Sequence, residues 1–415
     1  MREMKDSGIE WIGAIPQDWQ LSKIGSLYTQ RNEKVSDKVY QPLSVTMQGI
    51  LPQLATAAKT DDGDNRKLVR VGDFAINSRS DRRGSCGISP LDGSVSLINI
   101  ILTPRTAMHP GYHNWLFHTT LFADEFYKWG HGIVADLWTT RWQEMKSITV
   151  PVPEYAEQER IAAFLDAECA EIDAVLEKTR ASIEEYKKLK QAVITQAVTK
   201  GVRGDRPMKD SGIEWIGDIP AEWDVLNLVA HTSMLTPMRD RPENLDGPIP
   251  WVRIEDFEGK YIESSKAGLG VSMKTVKEMN LKVYPVGTIL CTSSCIMGKC
   301  AIVSRELVSN QRFIGIIPDR TTDKTYLYYL MTSNAERMNF LSTGALQANL
   351  SRSAFEHLKV QFPPYSEQQE IAAYLDDKCE KIDELILKKQ QYLTEIENYK
   401  KSLIYEYVTG KKEVR

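Results

Sequence analysis

At 415 residues and 47.1 kDa the chain is too long for a single core and requires two to four domains. Its 42% apolar and 26% charged residues are those of an ordinary globular protein. No run approaches the ~18 apolar residues of a membrane helix, the N-terminus lacks the apolar core of a signal peptide, and a net charge of −4 does not advertise nucleic-acid binding.

The first stretch with a pattern is Lys5 to Trp19, KDSGIEWIGAIPQDW, which returns at Lys209 to Trp223 as KDSGIEWIGDIPAEW. Neither copy holds a nucleophile, a metal-ligand cluster or a phosphate loop. From about Leu21 to Pro153 the texture is one of short strands and glycine turns, with helical spacing in HNWLFHTTLFADEFYKW. LSVTMQGI, Leu43 to Ile50, has a counterpart in WVRIEDFEG, Trp251 to Gly259. KLVRVGDFAINSRS has one in LKVYPVGTILCTSS, where Val71-Gly72-Asp73 and Val286-Gly287-Thr288 read as a turn entering a strand.

A second shared segment follows each variable region. EYAEQERIAAFLDAECAEIDAVLEK begins at Glu154 and PYSEQQEIAAYLDDKCEKIDELILK at Pro364, with Glu157, Gln158, Cys169 and Asp173 recurring at Glu367, Gln368, Cys379 and Asp383. Both are helices: Pro153 and Pro363 precede them, Gly201 and Gly410 follow, and neither proline nor glycine interrupts. Apolar residues at 161, 165, 172, 175, 186, 189 and 193, and at 371, 375, 382, 385, 396 and 403, fit a heptad seam. At 1.5 Å per residue each helix runs roughly 65 Å. Such a narrow stripe is best buried against its copy in a coiled coil; the alternative is two helices, each packed on its own domain. The order is therefore motif, variable domain, long helix, stated twice: a duplication of whole domains and not a solenoid.

The expected boundaries are 1–16 and 208–220 for the repeated brace, 17–153 and 221–363 for the variable domains, and 154–207 and 364–415 for the helices. Charge divides along them. The variable domains hold 15 Lys/Arg against 13 Asp/Glu and 16 against 15, whereas each helical segment holds 9 against 11. The only positive parts are the variable ones.

The motifs SGIEWIGAIPQDW with its copy, P-x-x-EQ-x-x-IA-x-x-LD at both helix starts, and VGD or VGT in each variable domain together resemble the specificity subunits of type I restriction-modification systems. The resemblance covers essentially all 415 residues. It implies an α+β fold: two target recognition domains, each a mixed sheet plus short helices, joined by two long helices in an antiparallel coiled coil with an internal pseudo-two-fold repeat. It also implies a subunit without its own catalytic site that reads a bipartite site in double-stranded DNA. Partners would be two methyltransferase subunits, which would hold S-adenosylmethionine, and restriction subunits in the larger complex. No cofactor, metal or membrane contact is expected of the chain itself, and its setting would be the cytoplasm.

The strongest candidate for DNA contact is NSRSDRRGSCG, Asn77 to Gly87, where Arg79, Arg82 and Arg83 offer forked donors for guanine edges or phosphates. A solvated loop pairing with Asp81 is the plainer reading. The equivalent stretch, CTSSCIMGKC, offers Ser293, Ser294 and Lys299. Further candidates are Thr46, Gln48, Lys59 and Arg141 in the first domain, and Arg253, Arg312, Gln347, Asn349, Ser351 and Arg352 in the second. Three tempting motifs fail. Cys291, Cys295 and Cys300 lack a CxxC pair and a fourth ligand, and their alternation suits a strand facing its core. MGKC at Met297 has Ser293 where a P-loop needs its first glycine. FPPY at Phe362 lacks the Asn, Asp or Ser that amino-methyltransferases place first. A stand-alone methyltransferase and a coiled-coil adaptor with no DNA role are the rival readings.

Overall fold

The computed structural model describes residues 2–54, 62–132, 138–237, 241–294, 298–341 and 350–414. It divides into two compact units, Met1–Arg180 with Gln390–Arg415 and Ala181–Lys389. Two long helices contribute to both. Five helices matter below: α1 (Pro110–Phe117), α2 (Thr120–Lys128), α3 (Tyr155–Lys200), α4 (Lys324–Ser333) and α5 (Tyr365–Val408). The long helices α3 and α5 end where expected. Gly201 and Gly410 take φ of 75° and 71°, the left-handed C-terminal stop that glycine adopts without a Cβ clash.

In the first unit a four-stranded antiparallel sheet is built from β1 (Tyr28–Arg31), β4 (Phe74–Asn77), β5 (Cys86–Ile88) and β6 (Asn99–Pro104), in the order β5-β4-β6-β1. A separate hairpin, β2 (Leu43–Thr46) with β3 (Gly49–Pro52), lies apart from it in the sheet order. Every residue of β4 is buried because both sheet faces are covered. Phe74, Ile76, Cys86, Ile100 and Leu102 pack with Tyr112, Leu116 and Phe117 of α1 and Phe122 and Phe126 of α2. Ala75 and Ile101, on the alternate phase, pack with Leu43, Ile50, Val69 and Val95.

The second unit repeats this plan with one more strand. Its sheet has the order β7-β11-β9-β10-β8, from β7 (Thr232–Leu235), β8 (Tyr261–Ile262), β9 (Ile289–Thr292), β10 (Cys300–Val303) and β11 (Phe313–Pro318). The added edge strand β8 runs parallel to β10, which makes the sheet mixed. Ile289, Cys291, Cys300, Ile302, Ile314 and Ile316 face Tyr326, Leu327 and Leu330 of α4.

The VGD and VGT turns are equivalent: Gly72 and Gly287 have φ of 86° and 90°, and their N–H groups donate to Ser89 O at 2.9 Å and Val303 O at 2.8 Å. LSVTMQGI and WVRIEDFEG both open as a strand, with parallel pairing of Pro42 to Ser94 and of Trp251 to Val308, and then diverge. The first is the β2–β3 hairpin, whereas Ile249–Val252 is a strand that runs into a 3-10 turn at Ile254–Asp256.

Within each unit the long helices pair antiparallel. In the first, Lys400 Nζ meets Asp173 at 2.6 Å, Arg180 meets Glu397 at 2.8 Å, and the rings of Phe164 and Tyr407 lie 4.4 Å apart. In the second, Lys190 meets Asp383 at 2.6 Å and Lys389 sits over the Tyr186 ring. The pairs Asp173–Lys400 and Asp383–Lys190 occupy the same repeat positions with the helices exchanged. The seam differs from the expected heptad at three positions. Val175, Leu189 and Leu385 are exposed, and Leu176, Thr179, Ile183 and Ile386 take the inward places. A seam of period 3.5 steps 172, 176, 179, 183; an apolar residue one place off it points at solvent.

Candidate nucleic-acid interface

The two predicted contact loops occupy one topological place. Residues 78–85 connect β4 to β5, and residues 293–299 connect β9 to β10; in both units the two strands joined are antiparallel neighbours. In the first loop a 3-10 turn spans Ser80–Arg82, and Gly84 takes φ 75° to close it. Arg79, Arg82 and Arg83 are all exposed, but their engagements differ. Arg83 forms an ion pair with Asp124 of α2. Arg82, 68% exposed, lies 3.8 Å from Asp81. The Arg79 side chain has no partner among the described residues, and its backbone N–H donates to Asn77 Oδ1 at 3.1 Å. Arg83 is thus a brace for the loop, and Arg79 and Arg82 are its available cations.

Thr46 and Gln48 form the tip of the β2–β3 hairpin. Thr46 Oγ1 donates to Gly49 O at 2.9 Å and accepts from the Gln48 N–H at 3.1 Å, which leaves the Gln48 side chain exposed. Arg141 is exposed ahead of the short helix Trp142–Met145, its N–H bonded to Glu144 at 3.0 Å.

In the second unit several candidates turn inward or are occupied. Ser294 is buried, with no partner for its hydroxyl among the described residues. Ser293 is held by its backbone, which donates to Arg312 O and accepts from Leu350 N–H. Arg253 pairs with Glu255 at 3.0 Å and Arg352 with Glu356 at 2.7 Å. Ser351 caps the helix Arg352–Glu356 by accepting from Ala354 N–H at 3.2 Å. That is local structure and needs no DNA to explain it. Lys299, over the Phe257 ring, and Arg312 remain exposed cations at this loop. Lys59, Gln347, Asn349, Cys295 and Met297 lie outside the described residues.

The cysteines behave as packing. Cys291 and Cys300 are register partners across β9–β10 with sulfurs 2.7 Å apart, and burial pushes the Cys291 thiol well up. Cys169 and Cys379 are buried at matching places in the helix seam, and burial raises Cys169 to about 11. Among the described residues no group of three or more His, Cys, Asp or Glu is placed to hold a metal ion.

The repeated motifs form the frame that holds these loops. Gln158 Nε2 donates to Pro153 O at 2.9 Å and its Oε1 accepts from His109 N–H, the residue capping α1. Gln368 does the same with Pro363 O and Asp323 N–H, the cap of α4. Trp115 of α1 donates to Asp166 at 2.8 Å, and Tyr329 of α4 donates to Asp376 at 2.7 Å. Tyr112 Oη reaches Val408 O directly at 2.8 Å. In the other unit Tyr326 Oη bonds Gln361 O, and the Gln361 side chain carries the link to Val198 O at 2.7 Å. Each domain is therefore fixed to its long helices at several points.

Trp19 Nε1 donates to Glu157 at 2.9 Å, and Trp223 Nε1 to Glu367 at 3.0 Å. Above each indole lies an arginine, Arg2 or Arg206, that also pairs with the same glutamate and with Asp18 or Glu222. Both arginines lie just outside the repeat as it is bounded at Lys5 and Lys209. Arg-x-Met-Lys-Asp at Arg2 and Arg206 was the available signal. The first brace also packs on the end of α5: Tyr405 Oη donates to Trp11 O and Ile12 O, and Lys411 donates to Ala14 O.

Residues 224–398 match the family described as type I restriction modification DNA specificity domain. The type I restriction enzyme MjaIX specificity subunit of Methanocaldococcus jannaschii is 36% identical over 176 residues, 40% of each chain. The putative MjaX specificity subunit of the same organism is 26% identical over 66% of this chain and 61% of its own. The chain thus spans less than two thirds of the curated relatives it matches. A solved chain from a study of complex assembly in the type I R-M system superposes with a TM-score of 0.74 at 13% identity, over 95% of this chain and 98% of that one. The HsdS subunit of Thermoanaerobacter tengcongensis gives 0.53 at 14% identity, over 98% and 100%. At such identities the likeness to the solved chains is one of fold. Residues 224–398 thus match a type I restriction modification DNA specificity domain, and over nearly its whole length the chain shares the fold of the solved chains.

Proposed function

We propose that this chain is the non-catalytic DNA-reading subunit of a type I restriction-modification complex in the cytoplasm. Each unit reads one half of a bipartite duplex site, chiefly through the β4–β5 loop in one and the β9–β10 loop in the other. Arg79 and Arg82, with Gln48 and Arg141, serve the first half; Lys299 and Arg312 serve the second. The long helices set the number of unread base pairs and carry two methyltransferase subunits at their two equivalent faces. Those partners bring S-adenosylmethionine and much of the phosphate contact, and restriction subunits complete the assembly.

The observation that carries this reading is the specificity-domain match on residues 224–398, placed on a frame whose two hairpin loops are topologically equivalent but chemically different. A repeated frame with unlike loops suits two unlike half-sites. The test is a methylome comparison in cells holding the partner subunits, with the wild-type chain and with residues 21–153 exchanged for those of another specificity subunit. One half of the methylated motif should change while the other half persists. An unchanged motif would refute the assignment.

A further inference from the structure

Beside the Arg79–Arg82 turn, the first unit contains a cleft of about 390 Å³. Leu43, Val45 and Ile98 give it an apolar lining, Asn77 and Asn99 line it with amides, and Arg79 and Arg82 stand at it as cations. Asn77 and Asn99 are register partners across β4 and β6, at the strand ends where the loop begins. Asn99 is only 4% exposed. Its Nδ2 donates to Ser96 O at 3.0 Å, while its Oδ1 has no partner among the described residues. A buried amide oxygen without a donor is a costly group to leave unmet, and a ligand that brings the donor relieves that cost.

The shape decides what that ligand is. Elements that read an intact duplex protrude into its grooves. A concave site admits a base only after the base has left the stack. Here apolar side chains suit the face of a base, the Asn99 oxygen suits an exocyclic amino group, and the two guanidinium groups suit phosphates. We propose that this cleft receives one everted nucleotide of the first half-site: an adenine, cytosine or guanine whose amino group donates to Asn99 Oδ1, with Arg79 and Arg82 on the flanking phosphates. The proposal rests on the reading of the chain as a DNA-sequence reader.

The full chain, assembled with its methyltransferase subunits, is titrated against duplexes carrying the site found by methylome sequencing. Each base of the first half-site is mispaired in turn by changing only the opposite strand. Mispairing lowers the cost of eversion, so one position other than the methylated base should bind at least tenfold more tightly. Mispairs elsewhere should weaken binding or leave it unchanged. Asn99→Leu should reduce discrimination between amino-bearing bases and thymine at that position by at least tenfold, with recognition of the second half-site intact, and Asn99→Asp, which keeps an acceptor, should restore it. Arg79→Ala with Arg82→Ala, both on the exposed loop, should lower affinity for the first half-site at least tenfold whatever happens to the fold of the Asn99 variants. If no position other than the methylated base responds to mispairing, or the responding position is indifferent to these variants, the cleft takes no base. Absence of any sequence-dependent binding by the wild-type assembly would instead overturn the DNA-reading assignment.

Discussion

Glu367 is fully buried, accepts from Trp223 Nε1 at 3.0 Å, and pairs with Arg206 at 2.6 Å and Arg203 at 3.7 Å. Replacing it with glutamine removes the charge and almost no volume. The new amide oxygen could still accept from the indole, so the loss isolates the ion pair. Breaking a buried pair from one side costs about 3–5 kcal/mol, because the other charge stays buried without compensation. Arg206, whose side chain is 11% exposed, keeps Glu222 at 3.0 Å, which moves the expected cost to about 2–3 kcal/mol. The readout is amide hydrogen exchange of residues 208–223 in the whole chain. At 1.4 kcal/mol per decade, exchange there should quicken by roughly thirty- to a hundred-and-fortyfold, with residues 4–19 of the other brace unaffected. Adding Arg206→Met to Glu367→Gln removes the stranded cation and should recover part of the loss, a coupling that additive effects would not produce. Exchange within threefold of wild type for Glu367→Gln, or strict additivity in the double variant, would refute the view that this cluster clamps brace to helix.

Two further outcomes follow from the same geometry. His113 is buried against Tyr28 and Tyr112, and burial holds it down to about 4 from its usual 6.5. The unfolded chain takes up that proton first, so its contribution to stability is full above about pH 6.5 and lost as pH falls toward 4, about 3 kcal/mol in all. His118, lowered by burial too, acts in the same direction. In urea unfolding at pH 7 and pH 4.5, His113→Phe should halve or better the difference seen for wild type; an unaltered difference would count against the assignment. Inserting one heptad into the middle of both α3 and α5 preserves the seam and adds about 10 Å of helix, or about three base pairs of B-DNA. The unread spacer in the methylated motif should widen accordingly, and an unchanged spacer would remove the helices from that role.

Much of the frame was legible because it is local or repeated. Helix ends follow from Pro153, Gly201, Pro363 and Gly410, and the doubled motifs align by eye. The seam is one residue out at Val175 and Leu385, since the adjacent Leu176 and Ile386 give a one-dimensional pattern two possible phases; Leu189 stands between two lysines and is simply exposed. Packing against the partner helix chooses between them. Sheet order was illegible, because β4 pairs with β6 across more than twenty residues and no local signal states it. In the arginine loop, composition shows three cations but not their division of labour. Whether Arg83 is free depends on Asp124, forty-one positions away and a neighbour only in the fold. Ser351 has a local role that its neighbours in sequence already state: a serine opening a short helix is a cap.

The exchanged ion pairs, Asp173 with Lys400 and Asp383 with Lys190, bear on ancestry. Each long helix carries both halves of the same handshake, so one repeat presents a seam complementary to a copy of itself. Duplication and fusion of a gene for a self-pairing half-chain would produce this arrangement without any new contact being invented. Such a fusion would free the two variable regions to diverge, since neither need match its twin. A covalent link would let a symmetric pair become an asymmetric one.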